Sequence, residues 1–112
     1  MYGLIGKMRA ATGRRDELAE ILVGGVSGLP GCLSYVVAED AGDPDALWVT
    51  EAWVSEAAHR ASLDLPSVRE AIARGRPLIA GFGERFVTRP VGGHGLVALD
   101  GGGARGAEGL GA

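Results

Sequence analysis

The spacing of the hydrophobic residues changes several times along the chain, and each change marks a predicted element. Residues 2–9 have the composition of a short strand, which a turn around Gly13 ends. Apolar residues and glycine then recur at helical intervals, at Leu18, Ile21, Leu22, Gly25, Val26 and Leu29. This spacing predicts an amphipathic helix from Arg14 that continues until Pro30 interrupts it. Gly24 and Gly25 each disfavour it by about 1 kcal/mol, so we expect a close neighbour or a cavity beside them.

Two further apolar runs, Cys32–Glu39 and residues 46–54, lie on either side of the turn-forming residues 40–45. Their composition predicts two strands that form an antiparallel hairpin with a long loop. Ser55 is typical of a residue that caps a helix N-terminus, so a short helix is expected through about residue 64.

A second short helix is predicted to begin at a capping box formed by Ser67 and Glu70. Gly75 and Pro77 close it, and residues 78–88 have the composition of a last strand. The order β-α-β-β-α-β, with the second helical part divided in two, is that of a ferredoxin-like α+β sandwich. The sequence therefore predicts four antiparallel strands with the helices on one face.

Both faces of the predicted sheet are apolar. In the third strand, Leu47 and Val49 alternate with Trp48 and Ala52. The helices cover one face, so the other face needs a second cover. The simplest cover is another copy of the chain, and we expect a homodimer formed through the sheet face.

Glycine content separates a domain from a tail. Nine of the 20 glycines lie in the last 22 residues, where too little apolar area is present to offset the backbone entropy of folding. We therefore expect a domain over residues 1–90 and a Gly-rich C-terminal tail or arm over residues 91–112.

Charge and cysteine content restrict the function classes. Eleven basic and 14 acidic residues give a net charge of −3, which disfavours nucleic-acid and anionic-membrane partners. No apolar run approaches the roughly 18–20 residues that span a bilayer.

Cys32 has no second cysteine with which to form an internal disulfide, which fits a reducing cytoplasm. His59 and His94 are 35 residues apart, so no metal site is expected.

Three short motifs follow one another in the chain: Pro30-Gly31-Cys32-x-x-Tyr35, then Glu51-x-Trp53, then His59 six residues later. In order and spacing they resemble the antibiotic biosynthesis monooxygenase family, which includes small quinol monooxygenases, over about residues 2–90. The resemblance implies a dimeric α+β barrel with a ligand cavity between the helices and the sheet of each subunit. It also implies oxygenation of quinols or anthrones by molecular oxygen without a cofactor.

Such chemistry requires a dry apolar pocket, a base for the substrate proton and a donor that holds the anion. His59 is the leading base, because imidazole titrates near neutrality; a partly buried histidine bonded to a neighbour is the alternative. Trp53 is a candidate wall that stacks on the aromatic substrate, or else a core residue. Glu51 shares the face of Trp53 and is a second proton acceptor or a salt-bridge partner.

Three further side chains are candidate substrate-binding residues. Tyr35 would donate a hydrogen bond into the pocket, unless it fills the core. Arg74 or Arg76 would steady a phenolate, although a solvated helix end beside Gly75 is the alternative. Cys32 is interpreted as a small buried hydrophobe rather than a nucleophile.

These residues predict a cofactor-independent monooxygenase that converts a quinol, polycyclic phenol or anthrone to a quinone. The alternative is a non-catalytic, stress-related barrel protein that binds a small aromatic ligand without turnover. A third hypothesis is haem binding or degradation, as among structural relatives that resemble one another in an Asn on the first strand. This chain contains no Asn, which disfavours the haem hypothesis. Oxygen consumption distinguishes the first two hypotheses, because only the monooxygenase consumes oxygen.

Overall fold

The computed structural model describes residues 1–96 and follows the predicted order of elements. The strands are β1 (Tyr2–Ala10), β2 (Cys32–Glu39), β3 (Ala46–Trp53) and β4 (Ile79–Thr88), and the helices are α1 (Arg15–Gly24), α2 (Glu56–Ser62) and α3 (Pro66–Gly75). A 3-10 turn, Arg76–Leu78, joins α3 to β4. The ferredoxin-like α+β fold is confirmed, whereas most of the predicted tail, residues 97–112, lies outside the described residues.

The four strands form one antiparallel sheet in the order β2-β3-β1-β4. Strands β2 and β3 form the predicted hairpin, in which Tyr35 lies opposite Glu51. On the other side of β3, Leu4 of β1 pairs with Glu51 and Met8 pairs with Leu47. Because side chains alternate along a strand, the even-numbered residues of β1 and the odd-numbered residues of β3 share the helix-covered face.

The core lies between α1 and this covered face. Leu18 of α1 and Leu47 of β3 are fully buried, and they cluster with Ala10, Ile21 and Leu78. Leu18 also lines the cavity described below, so the core forms one wall of the site.

Helix α1 is shorter than its apolar spacing predicts. It ends at Gly24, and the Gly25 amide donates to the carbonyl oxygen of Ile21. Two consecutive glycines weaken the last turn, and Gly28 adopts a positive φ of 69°, which a continuing helix does not allow. The prediction of a helix to Pro30 was therefore wrong, although Leu29 remains buried.

The two later helices begin differently. Ser55 caps α2 as predicted, since its Oγ accepts a hydrogen bond from the Ala58 amide at 3.0 Å. Helix α3 begins at Pro66, so the predicted capping box at Ser67 was wrong. Proline suits the first helical position because its φ is already helical and its missing N–H would have no partner there. Within residues 1–96, no helix has both the length and the apolar character needed to cross a membrane.

Helices α1 and α3 approach each other closely at glycines. A Cβ on Gly25 would stand 2.6 Å from the Cβ of Ala71, and one on Gly75 would stand 3.3 Å from Cδ1 of Leu18. Gly25 and Gly75 also line the cavity. The expectation of a close neighbour or a cavity is thus confirmed for Gly25, whereas a Cβ on Gly24 would meet nothing within 4 Å.

The second face of the sheet carries exposed apolar side chains. Val36 and Phe86 are each about half exposed, and their pairing partners in the sheet are Thr50 and Ile5, which place them opposite the core. On the same face, the Trp48 indole N–H donates to Asp40 at 2.9 Å. This hydrogen bond, with one from the Gly42 amide, holds the pKa of the Asp40 carboxyl below its usual range.

Candidate functional site

A cavity of about 530 Å³ lies between the helices and the covered face of the sheet. Its walls are mainly apolar, with side chains from α1, α3, β1 and β4. Five of the six residues proposed from the sequence line it, namely Tyr35, Glu51, Trp53, His59 and Arg76. The sixth, Arg74, is exposed and lies outside the lining.

The end of β3 brings Glu51 and Trp53 together. They are two residues apart on an extended strand, so their side chains share one face. Trp53 is 1% exposed, and a buried indole N–H needs an acceptor. Trp53 Nε1 donates to Glu51 Oε1 at 2.9 Å, which fixes the carboxylate and satisfies the indole at once.

Helix α2 brings His59 to the same carboxylate. His59 Nε2 lies 3.9 Å from Glu51 Oε1, with 18% of the His59 side chain and 16% of the Glu51 side chain exposed. This distance is too long for a hydrogen bond, but it places the carboxylate and the imidazole side by side at the cavity wall. The Trp53 ring meets the imidazole edge-on, with ring centroids 5.4 Å apart.

The carboxylate of Glu51 also affects two neighbours on β2. Burial, with the Glu51 charge adding to it, raises the pKa of the Tyr35 phenol. Tyr35 therefore remains a neutral hydrogen-bond donor at physiological pH. Burial likewise raises the pKa of the Cys32 thiol, with a backbone hydrogen bond at Ser34 opposing and the Glu51 charge adding to the rise. The thiol stays protonated, in agreement with its interpretation as a small hydrophobe.

Two residues of the site were not anticipated from the sequence. Tyr2 stacks near His59, with ring centroids 5.6 Å apart, and Ser62 lines the cavity and donates to the His59 carbonyl oxygen at 2.6 Å. The sequence could have indicated Ser62, because residues three positions apart, such as His59 and Ser62, are neighbours on a helix. The position of Tyr2 depends on its pairing with Trp53 across the sheet.

A sequence model of the antibiotic biosynthesis monooxygenases matches residues 1–74. The chain belongs to this family. The comparison agrees with the cavity geometry, because the matched segment contains Tyr35, Glu51, Trp53 and His59. It ends one residue before Gly75, so β4 lies beyond it.

Solved structures of other family members are similar to this protein. An antibiotic biosynthesis monooxygenase family protein from Chloroflexus aurantiacus J-10-fl is 65% identical, with a TM-score of 0.83 over 85% of this chain and 97% of its own. One from Deinococcus radiodurans is 26% identical, with a TM-score of 0.68 over 80% and 92%. One from Nitrosomonas europaea shares the fold at 15% identity and a TM-score of 0.72, over 81% and 99%. A search of curated proteins found no match.

The described part of this family member offers no obvious metal site. Among residues 1–96, no three His, Cys, Asp or Glu side chains come together in an arrangement that could hold a metal ion.

Proposed function

We propose that this protein is a cofactor-independent monooxygenase that oxidises a quinol, polycyclic phenol or anthrone to a quinone with molecular oxygen. One observation carries the proposal. A carboxylate, Glu51, is held by the Trp53 indole and faces His59 at the wall of an otherwise apolar cavity. This combination suits a reaction that begins by removing a proton from an aromatic substrate.

In this proposal His59 accepts the substrate proton. The imidazolium that forms lies beside the Glu51 carboxylate, 3.9 Å away in the free protein, and this attraction offsets the cost of a charge in an apolar cavity. Glu51 itself is kept in place by Trp53 Nε1. Contacts between catalytic groups that are long in a free enzyme often shorten into hydrogen bonds when substrate binds, so the 3.9 Å separation of His59 and Glu51 suits the role.

The substrate anion then supplies the electrons that reduce dioxygen. In a phenol or anthrone, one oxygen atom forms a double bond to a ring carbon that carried hydrogen, and the second leaves as water with the two hydrogen atoms that the substrate loses. A quinol that reacts in the same way gives a hydroxyquinone and water. No other reductant enters this balance. The neutral Tyr35 hydroxyl is suited to donating a hydrogen bond to the developing anion, and the face of Trp53 can pack on an aromatic ring.

Oxygen uptake by chelator-treated protein with a panel of quinols and anthrones tests the proposal. We expect uptake faster than autoxidation in buffer for at least one compound, with one water formed per oxygen consumed. Isotopically labelled dioxygen should leave one labelled atom in the quinone. Ligand binding without uptake across the panel would contradict the enzyme and favour the alternative, a barrel that binds aromatic ligands without turnover.

We further propose that two copies pair through the second face of the sheet. The exposed Val36 and Phe86 support it, because apolar side chains on a sheet face favour a second cover. Val36→Glu is expected to shift the protein to monomer in sedimentation at micromolar concentration. Val23→Glu is the matched control, since Val23 on α1 is 59% exposed and Val36 is 52% exposed. A wild-type monomer would contradict the pairing.

A further inference from the structure

The cavity has a second charged residue far from the proton chemistry. Glu51 pairs across the sheet with Leu4, whereas Ile79 pairs with Ala10 at the other end of β1. The Ile79 amide donates to the carbonyl oxygen of Arg76, which ties Arg76 to that end. The six residues from Leu4 to Ala10 correspond to about 20 Å of strand. Arg76 and Glu51 both line the cavity, and their backbones lie toward opposite ends of β1.

Arg76 has no carboxylate partner in the described part of the chain. Within residues 1–96, it forms no ion pair within 4.0 Å and no side-chain hydrogen bond, and the same is true of Arg69, Arg74, Arg85 and Arg89. Of these five arginines, only Arg76 lines the cavity. The lining between Arg76 and Glu51 is apolar and includes Met8, Leu18 and Phe82. A ligand that fills the cavity thus meets mainly apolar walls and one exposed, unpaired guanidinium, that of Arg76.

We propose that Arg76 binds a carboxylate at the far end of an elongated aromatic substrate whose hydroxyl lies at His59. A guanidinium matches a carboxylate with two parallel hydrogen bonds, and a single arginine among apolar residues suits a singly charged group. Because the backbone of Arg76 lies toward the end of β1 away from Glu51 and His59, this proposal assigns Arg76 to the far group of the substrate, where it determines specificity. This inference rests on the proposed function, because it assumes that the cavity holds the aromatic substrate.

Two rigid probes test the inference, para-hydroxybiphenyl and the same molecule with a carboxylate at the far para position. Their affinities for the full-length protein are measured by calorimetry. We expect the acid to bind about tenfold more tightly, and Arg76→Gln to abolish that preference. Arg74→Gln is the matched control, since Arg74 is exposed like Arg76 but lies outside the cavity lining, and it should keep the preference.

The outcomes separate this inference from the proposed function. Equal binding of both probes to the wild type, or a preference that survives Arg76→Gln, overturns the role of Arg76 and leaves the aromatic site in place. A preference lost equally in Arg74→Gln also overturns it, because diffuse positive charge at the end of α3 then explains the effect. If neither probe binds, the aromatic site and the carboxylate inference both fail.

Discussion

His59→Ala is expected to lower the rate of substrate oxygenation by roughly 100- to 10,000-fold, the usual contribution of a positioned acid or base. The variant loses the proton acceptor beside Glu51 but keeps the apolar cavity. Ligand affinity should therefore change much less than turnover. Single-turnover oxidation under saturating substrate, measured beside calorimetric binding of the same compound, separates the two quantities.

The chain supplies a matched control in its second histidine. His94 is exposed and does not line the cavity, so His94→Ala should retain the wild-type rate. Glu51→Gln keeps an acceptor for the Trp53 indole while removing the charge that stabilises a protonated His59, and it should also slow turnover. A His59→Ala protein as fast as the wild type would show that another group accepts the proton.

Gly25→Ala should destabilise the protein by about 1–3 kcal/mol, the usual cost of overpacking. Gly25 has a helical backbone with φ −84°, so the added methyl group meets no backbone strain. Its Cβ would instead stand 2.6 Å from the Cβ of Ala71, and neither atom is the end of a flexible side chain. Helices α1 and α3 must then separate. Urea unfolding monitored by circular dichroism measures the loss.

The same substitution at the preceding residue, Gly24, is expected to have the opposite effect on stability. Gly24 ends α1, and a Cβ there would meet nothing within 4 Å. Gly24→Ala should therefore stabilise the protein by about 0.4–1 kcal/mol, because alanine has less backbone freedom to lose. Ala71→Gly combined with Gly25→Ala should recover part of the loss, with a coupling energy above about 0.5 kcal/mol. Equal effects at both glycines would contradict the close contact.

Short-range patterns predicted much of the candidate site. Two residues of separation on a strand place Glu51 and Trp53 on one face whatever surrounds them. Ser55 begins α2 by accepting a local hydrogen bond from the Ala58 amide, and this start determines where His59 lies on the helix. These features depend on neighbours within a few residues, so a single sequence is sufficient to infer them.

Arg74 and Arg76 show where such patterns stop being sufficient. Both are arginines beside Gly75, and their composition does not distinguish them. Both remain exposed, but the contact of Gly75 with α1 and the 3-10 turn that follows it place only Arg76 in the cavity lining. Likewise, Tyr2 reaches His59 only because β1 pairs with β3 in one register.

The sequence by itself determined the order of the elements, the α+β fold and the residues at the end of β3, because period and turn chemistry act over a few residues. The tertiary structure decided which charged side chains meet. The register of β1 brings together residues about fifty positions apart, and the close packing of α1 on α3 shapes the cavity. Those contacts depend on how whole elements pack, and local propensity carries no information about such distances.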